Sequence, residues 1–162
     1  MAKRETKPDR RLALAYVIVQ AIILLLLIFT NISFGVSVLK LAWLGITLEA
    51  LGVIGILLSA YSIRTSLTAL PLPKEHGRLA TSGLYRYMRH PMYTSVLVFA
   101  LGLAISSGGP YKYLLFFGLV ILFAYKSKYE EFYLAKKYAG YQQYANKTPK
   151  FIPLLKQKKT IK

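Results

Sequence analysis

Four runs of apolar residues alternate with polar stretches along the chain. They cover residues 12–29, 41–63, 92–107 and 111–125. The first run has Gln20 as its single polar side chain and, at 1.5 Å per residue, is roughly 27 Å long, which is close to the ~30 Å hydrocarbon core of a bilayer. The second run is long enough to cross a bilayer with some tilt, although it contains Glu49. Both runs therefore predict membrane-spanning helices.

The third and fourth runs are shorter, and the sequence Gly108-Gly109-Pro110 between them predicts a tight turn. We expect a short helical hairpin, either in a locally thinned bilayer or continued toward the membrane surface by snorkelling Lys126 and Lys128. Residues 126–145 keep helical spacing. They predict a cytoplasmic amphipathic helix that lies at the membrane interface.

Basic residues are divided unequally between the two sides of this predicted membrane protein. Twenty of the 22 Lys and Arg residues lie in the N-terminal arm, in the loop 64–91 or in the tail 126–162, whereas Lys40 and Lys112 lie in the other two connections. Positively charged connections stay in the cytoplasm. The sequence therefore predicts a single all-α, membrane-embedded domain over residues 1–162. It has four spans, and the loop, the tail and both termini are cytoplasmic.

The formal net charge of +16 is typical of proteins that bind nucleic acid or an anionic membrane. The membrane is favoured, because 55% of the residues are hydrophobic and the basic residues follow the borders of the spans rather than a separate soluble domain. Cysteine is absent and only two histidines occur, so neither a disulfide nor a metal centre is expected. The lack of cysteine also favours a prokaryotic plasma membrane.

Two polar segments are candidates for a functional site. The loop ends in residues 82–93, SGLYRYMRHPMY, where Pro91 fits the first turn of a helix and His90 its N-cap. Long loops of this kind are usually functional, but Arg and Tyr can also serve only as interfacial anchors. The loop and the tail flank the predicted hairpin, which would bring them together at the membrane surface.

In the tail, Glu130 and Glu131 are two of only six acidic residues in the chain. One interpretation is local charge balance, for example with Lys126 one helical turn earlier. The other is a carboxylate that accepts hydrogen bonds from ligand hydroxyl groups, such as those of a ribose. The residues alone leave both interpretations open.

The segments SGLYRYMRHPMY and KYEEFYLAKKYAGYQQYANKTPKFIP resemble the isoprenylcysteine carboxyl methyltransferase family, whose wider group includes phospholipid N-methyltransferases. An RHPxY segment, a short hydrophobic hairpin and an EExxL helix follow one another in the family's order. The resemblance covers about residues 64–153. It implies an integral membrane enzyme that transfers a methyl group from S-adenosylmethionine to a hydrophobic or lipid-linked acceptor, which enters from the bilayer.

The resemblance also implies the residues of the site, with the cofactor between the loop and the tail helix. The matching cofactor-binding positions are Tyr85, His90, Pro91, Met92, Tyr93 and Glu130, with further contacts from Gly77, Arg78, Leu79 and Ala80. Lys126 stands where members that act on a prenylcysteine carboxylate have Arg, and it is the candidate for positioning the acceptor. Arg89 is a second candidate catalytic residue. Because Lys lacks the bidentate fork of Arg, the carboxylate acceptor is matched less well than the cofactor.

Two alternatives stay open at this point. One is N-methylation of a phospholipid or another amine on the same scaffold, and the other is a non-enzymatic membrane protein that binds anionic lipid. Glu49, an acidic residue within a span, also has two interpretations: a role in an acceptor tunnel, or a hydrogen bond to a neighbouring helix through Gln20 or Asn31.

Overall fold

The computed structural model describes residues 9–32, 37–64, 68, 70–73 and 77–153 of the 162-residue chain. Within these ranges the regular structure is entirely helical. The helices are α1 (Arg10–Phe29), α2 (Ala42–Ser62), α3 (Pro91–Ser107), α4 (Pro110–Lys137) and α5 (Tyr141–Lys147), with a short 3₁₀ turn at Gly83–Arg86. The all-helical fold class is therefore confirmed. Part of the predicted loop (residues 65–67, 69 and 74–76) and the end of the predicted tail (154–162) lie outside the described residues.

Two of the helices, α1 and α2, are long and apolar enough to cross a membrane, and α3 is a shorter apolar helix. Asp9 begins α1 as its N-cap, because its carboxylate accepts hydrogen bonds from the backbone N–H groups of Arg11 and Leu12. Many large apolar side chains on these helices are exposed, including Leu25, Trp43 and Leu57. An apolar exterior of this extent indicates a membrane protein.

Helices α2 and α3 pack antiparallel and in very close contact, with glycine at the points of closest approach. A Cβ atom added at Gly52 would lie 2.6 Å from the backbone nitrogen of Phe99, and one at Gly45 would lie 2.6 Å from that of Ser106. Small residues allow two helix backbones to approach in this way. The glycines of α2 therefore determine how closely α2 and α3 pack.

Helices α1 and α4 also run antiparallel, and tyrosines join their ends. Tyr129 donates a hydrogen bond to the carbonyl of Asp9 at 2.9 Å, and Tyr111 donates one to the carbonyl of Thr30. The stretch of α4 between these two tyrosines therefore lies alongside the whole of α1. The rest of α4, about eight residues, projects beyond the start of α1.

Among the described residues, no separate amphipathic helix covers 126–145, so this prediction is wrong in its boundaries. Helix α4 continues unbroken from Pro110 to Lys137, and the chain becomes helical again only at Tyr141. The physical reason is that neither Gly nor Pro occurs from Leu119 to Ala139. Nothing in the sequence stops the helix where its composition changes from apolar to charged.

Candidate active site

The loop segment and the charged half of α4 meet at one end of the helix bundle, where α1 and α3 begin and α2 ends. Pro91 is the first residue of α3 and His90 is its N-cap, as the sequence predicts. Pro91 is fully buried and forms part of the floor under the loop. His90 is thereby held at the start of a rigid helix, facing the two glutamates of α4.

His90 is fixed by contacts on several sides and is only 5% exposed. Its Nε2 atom lies 2.9 Å from Oε1 of Glu131, and its Nδ1 atom lies 3.6 Å from Oε2 of Glu130. The ring stacks on that of Tyr93, with 5.2 Å between centroids. Because the ring has so little freedom, it presents a fixed surface to any bound ligand.

Glu131 joins the side chains of His90, Arg89 and Lys150, and its role was not predicted from the sequence. Besides His90, its oxygens lie 3.4 Å from Nε of Arg89 and 3.3 Å from Nζ of Lys150. Burial is the largest single influence on Glu131 and raises its pKa, but the hydrogen bond and charge of His90, with the charges of Lys150 and Arg89, outweigh it. The pKa of Glu131 therefore lies below its ordinary value, and the side chain is ionised at neutral pH.

Residues 148–153 form a strap that packs against the start of α3. The backbone N–H groups of Arg89 and His90 donate to the carbonyls of Pro149 and Lys150 at 2.9 and 3.0 Å. Phe151 accepts a hydrogen bond from the Thr94 hydroxyl and packs its ring against His90. The strap thus fixes the start of α3 from a point about 60 residues further along the chain, and no local sequence signal could have revealed it.

Glu130 points the other way, into a cavity of about 380 Å³. Its Oε2 atom accepts a 2.7 Å hydrogen bond from Tyr93, and the rest of the carboxylate is open to the cavity. The structure brings most of the predicted residues together in the cavity wall. They are Arg78, Leu79, Ala80, Tyr85, Arg89, His90, Met92, Tyr93, Lys126 and Glu130.

Two predicted residues, Gly77 and Pro91, do not line this cavity. The carbonyl of Gly77 instead accepts a 2.7 Å hydrogen bond from Tyr138, which ties the loop to the end of α4. Pro91 lies beneath the cavity at the start of α3. Their contribution in the structure is to hold the wall in place.

Tyrosines from α4, α5 and the loop form one side of the cavity. Tyr144 donates a 2.6 Å hydrogen bond to the carbonyl of Tyr85. Burial raises the pKa of Tyr144 to about 12, and burial together with nearby carboxylates raises the pKa of Tyr85 and Tyr141 further. All three phenols are therefore neutral hydrogen-bond donors near neutral pH. The buried hydroxyl of Tyr141 has no hydrogen-bond partner among the described residues, although it belongs to the cavity wall.

Lys126 lies inside the bundle and does not snorkel to the membrane surface, contrary to the prediction. It is 5% exposed, and its Nζ atom donates a 2.6 Å hydrogen bond to Oε1 of Gln20 in α1. The same atom lies 5.1 Å from the centroid of the Tyr93 ring. The reason is geometric: long side chains on a helix lean toward its N-terminus, which for Lys126 means toward the interior of the bundle.

The wall combines a carboxylate, neutral phenols and one ammonium group with apolar surface from α1, α2 and α3, including Val17, Ile56 and Val96. Such a cavity can hold a ligand with hydroxyl groups and charges at one end and an apolar part at the other. The residues that the structure describes contain no group of three or more side chains suited to a metal ion.

Glu49 lies away from this cavity, at the contact between α2 and α3. Its Oε1 atom accepts a 2.7 Å hydrogen bond from the hydroxyl of Ser106. The interpretation as a hydrogen bond to a neighbouring helix is therefore confirmed, but the partner is Ser106 rather than Gln20 or Asn31.

Comparison with known proteins gives a consistent set of similarities. Residues 41–140 match the family model described as phospholipid methyltransferase. The chain is similar to protein-S-isoprenylcysteine O-methyltransferase B of Arabidopsis thaliana, with 35% identity over 51% of this chain and 43% of the relative. It is also similar to the protein-S-isoprenylcysteine O-methyltransferase of Schizosaccharomyces pombe, with 39% identity over 51% of this chain and 35% of the relative.

A third relative is the cobalt-zinc-cadmium resistance protein CzcN of Cupriavidus metallidurans, which is 27% identical over 79% of this chain and 59% of its own length. The chain spans less than half of the length of the two methyltransferase relatives.

Proposed function

Because this chain belongs to the phospholipid methyltransferase family, we propose that it transfers a methyl group from S-adenosylmethionine to a hydrophobic or lipid-linked acceptor at a membrane. The reaction is of the isoprenylcysteine carboxyl methyltransferase type, which the names of two relatives support. The observation that carries the proposal is the position of Glu130, whose carboxylate faces a cavity of suitable size between the loop and α4. Cavities that hold small molecules measure roughly 300–1,000 Å³.

The residues of the cavity fit this cofactor. The Glu130 carboxylate accepts hydrogen bonds from ribose hydroxyls and is held in place by Tyr93 at 2.7 Å. Tyr141 lines the same cavity, and its buried hydroxyl has no hydrogen-bond partner among the described residues, so a small shift of the side chain would let it donate to a bound ligand. The ring of His90, fixed between Tyr93 and Glu131, shapes the wall beside them. Arg78, Leu79 and Ala80 close the opposite wall.

When bound, S-adenosylmethionine supplies a methyl group on a positively charged sulfur, which is already a strong electrophile. The protein has to align the acceptor with that methyl group and to exclude water. Apolar side chains of α1, α2 and α3 in the cavity wall accept the lipophilic part of the acceptor. Lys126 orients the polar end of the acceptor. Arg89 holds the neighbouring part of the cavity wall in place through its ion pair with Glu131. A carboxylate acceptor needs no general base.

Transfer to the nitrogen of a phospholipid or another amine is the second candidate, and the description of the matching family model favours it. An amine acceptor has to be neutral before it can attack, so this reaction would need a general base or a desolvated site, whereas transfer to a carboxylate needs neither. A non-enzymatic lipid-binding protein is the remaining alternative, and it would not require a carboxylate that faces the cavity.

We propose the membrane arrangement that the sequence predicts: a single domain over residues 1–162 with α1, α2, α3 and the first part of α4 as spans. Helix α3 and α4 up to Tyr125 form the short hairpin, and the charged half of α4 lies on the cytoplasmic side with both termini. The antiparallel packing of α1 with α4 and of α2 with α3 supports this topology. The membrane is a prokaryotic plasma membrane.

Calorimetric titration of the detergent-purified protein with S-adenosylhomocysteine tests the cofactor. We expect micromolar binding, weakened about 10- to 100-fold in Glu130→Gln, since a hydrogen bond to a charged group contributes about 1.5–3 kcal/mol. Tyr141→Phe should weaken binding about fivefold, because one neutral hydrogen bond is lost. Tyr87→Phe is the matched control, because Tyr87 is 58% exposed and lies outside the cavity.

Failure of the folded wild-type protein to bind S-adenosylhomocysteine would overturn the proposal and favour the lipid-binding alternative. Equal affinity in wild type, Glu130→Gln and Tyr141→Phe would show that the cofactor lies elsewhere.

A further inference from the structure

The first helix contributes a polar side chain to the cavity from outside the part of the chain that the family model matches. The model covers residues 41–140, whereas Gln20 lies in α1. Gln20 is the single polar side chain in its apolar run, and it lines the cavity opposite α4. A polar residue within such a run is costly in a membrane and usually serves a function.

Gln20 contacts the one ammonium group in the described cavity wall. Its Oε1 atom accepts a 2.6 Å hydrogen bond from Nζ of Lys126, which uses one of the three N–H donors of that group. Within the part of the chain that the structure describes, no carboxylate lies within 4.0 Å of this nitrogen. Burial lowers the pKa of Lys126, and the more distant carboxylate of Glu130 partly offsets this. The amide oxygen of Gln20 therefore holds the ammonium group without forming an ion pair.

The position of this pair along the bundle makes the charge significant. Gln20 is eleven residues beyond the N-cap Asp9, which corresponds to roughly 16 Å along α1. Lys126 Nζ thus lies near the level of the middle of α1, next to the apolar side chains of Val17 and Val96 in the cavity wall. A cation in such surroundings attracts an anionic group much more strongly than one in water does.

We propose that Gln20 is a positioning residue that keeps Lys126 in the cavity as a cation without an ion-pair partner among the described residues, and that the pair selects methyl acceptors with a carboxylate at the reacting end. The inference rests on the proposed methyltransferase function. The lipophilic remainder of the acceptor lies along the apolar wall between the helices, and its carboxylate reaches the two N–H donors of Lys126 that Gln20 does not use.

Substitution of Gln20 by Glu separates this role from a purely structural one. A carboxylate beside the ammonium group is ionised and holds Lys126 at least as firmly as the amide does, but it cancels the charge. The ligands are N-acetyl-S-farnesylcysteine and its neutral carboxamide, titrated calorimetrically into protein saturated with S-adenosylhomocysteine.

We expect wild type to bind the acid at least tenfold more tightly than the carboxamide, and Gln20→Glu to bind both about equally. Affinity for S-adenosylhomocysteine should stay within twofold, and during turnover KM for the acid should rise more than kcat falls. Retention of the tenfold preference in Gln20→Glu would overturn the inference.

A double-mutant cycle tests whether Gln20 acts through Lys126. Gln20→Leu should reduce the preference for the acid in the wild-type background and change it less than twofold in Lys126→Met. A loss of similar size in both backgrounds would show an independent action of Gln20 and contradict the inference.

The same titrations distinguish a failure of the proposed function from a failure of the inference about Gln20 and Lys126. If wild type does not bind S-adenosylhomocysteine, the proposed function fails. If it binds S-adenosylhomocysteine but binds acid and carboxamide equally, or binds neither, the inference about Gln20 and Lys126 fails alone.

Discussion

Glu130 and Glu131 are adjacent in the sequence, yet their surroundings give them different chemical roles. The carboxylate of Glu131 contacts Arg89, His90 and Lys150, so its charge stabilises contacts within the protein. Glu130 contacts Tyr93 and the open cavity, so its charge remains available to a ligand. Substitution of Glu131 should therefore lower the stability of the fold, whereas substitution of Glu130 should weaken ligand binding.

The contribution of Glu131 to the stability of the fold should depend on pH. Since its folded-state pKa lies below the ordinary value of 4.5, its contribution is complete above that pH and is lost as the pH falls through the folded-state pKa. Glu131→Gln should lower the free energy of unfolding by about 1.5–3 kcal/mol at pH 7, because hydrogen bonds to a charged group are lost. Thermal unfolding in detergent at a series of pH values measures this.

The difference between wild type and Glu131→Gln should shrink below pH 4.5. A difference that stays constant down to pH 3 would show that the charge of Glu131 does not stabilise the fold. Glu130→Gln is the control, because Glu130 faces the cavity and its substitution should change stability much less.

At the scale of residues, the sequence predicted the side chains near α3 but not those that hold them. His90 and Tyr93 were found because they belong to one short motif. Gln20 contacts Lys126 from 106 residues away in the sequence, and Lys150 contacts Glu131 from beyond the end of α4. No spacing rule connects residues in different elements. Glu131 was seen as acidic, but its contacts with Arg89, His90 and Lys150 depend on the folded arrangement.

Among the elements, the contact between α2 and α3 depends most directly on individual residues. Gly52→Ala places a Cβ atom 2.6 Å from backbone and side-chain atoms of Phe99, so the helices must separate. Overpacking of this kind costs about 1–3 kcal/mol. We expect a lower thermal midpoint in detergent, together with weaker binding of S-adenosylhomocysteine, because α3 carries His90 and Tyr93.

Gly118→Ala in α4 is the matched control for Gly52→Ala. Among the described residues, no atom outside the neighbouring backbone of α4 lies within 4 Å of the position that its Cβ would take. Because alanine favours a helix over glycine by up to about 1 kcal/mol, this variant should be as stable as wild type or more so. If both variants lost stability equally, the effect would not come from the contact between α2 and α3.

The predicted helices largely agree with the structure, since long apolar runs with clear ends allow few alternatives. The first run, 12–29, is α1 with two further residues at its start, and the second and third runs match α2 and α3 to within one residue. The predicted end of the fourth helix, at residue 125, was wrong. A fall in hydrophobicity marks where a helix leaves an apolar environment, not where the helix stops. The true end of α4 precedes Gly140, the next glycine in the chain.

For the whole molecule, the antiparallel arrangement places the polar machinery at one end of the bundle. Asp9, His90 and the charged half of α4 are at that end, whereas Leu39 and Thr30, which contact the start of α4, are at the other. The sequence predicted this division from the distribution of Lys and Arg. The resemblance to isoprenylcysteine carboxyl methyltransferases is confirmed by the relatives, although each shares only part of its length with this chain.

The predicted topology can be tested directly because the chain contains no cysteine, so any introduced thiol is the sole reactive one. Val38 and Tyr87 are 62% and 58% exposed and lie at opposite ends of the bundle. With four spans and cytoplasmic termini, a membrane-impermeant maleimide should label Val38→Cys in intact bacterial spheroplasts and Tyr87→Cys only after the membrane is opened. Labelling of both variants in intact spheroplasts would contradict the four-span arrangement. A reversed pattern would keep the spans but place the site on the outer face, where cytoplasmic S-adenosylmethionine could not reach it.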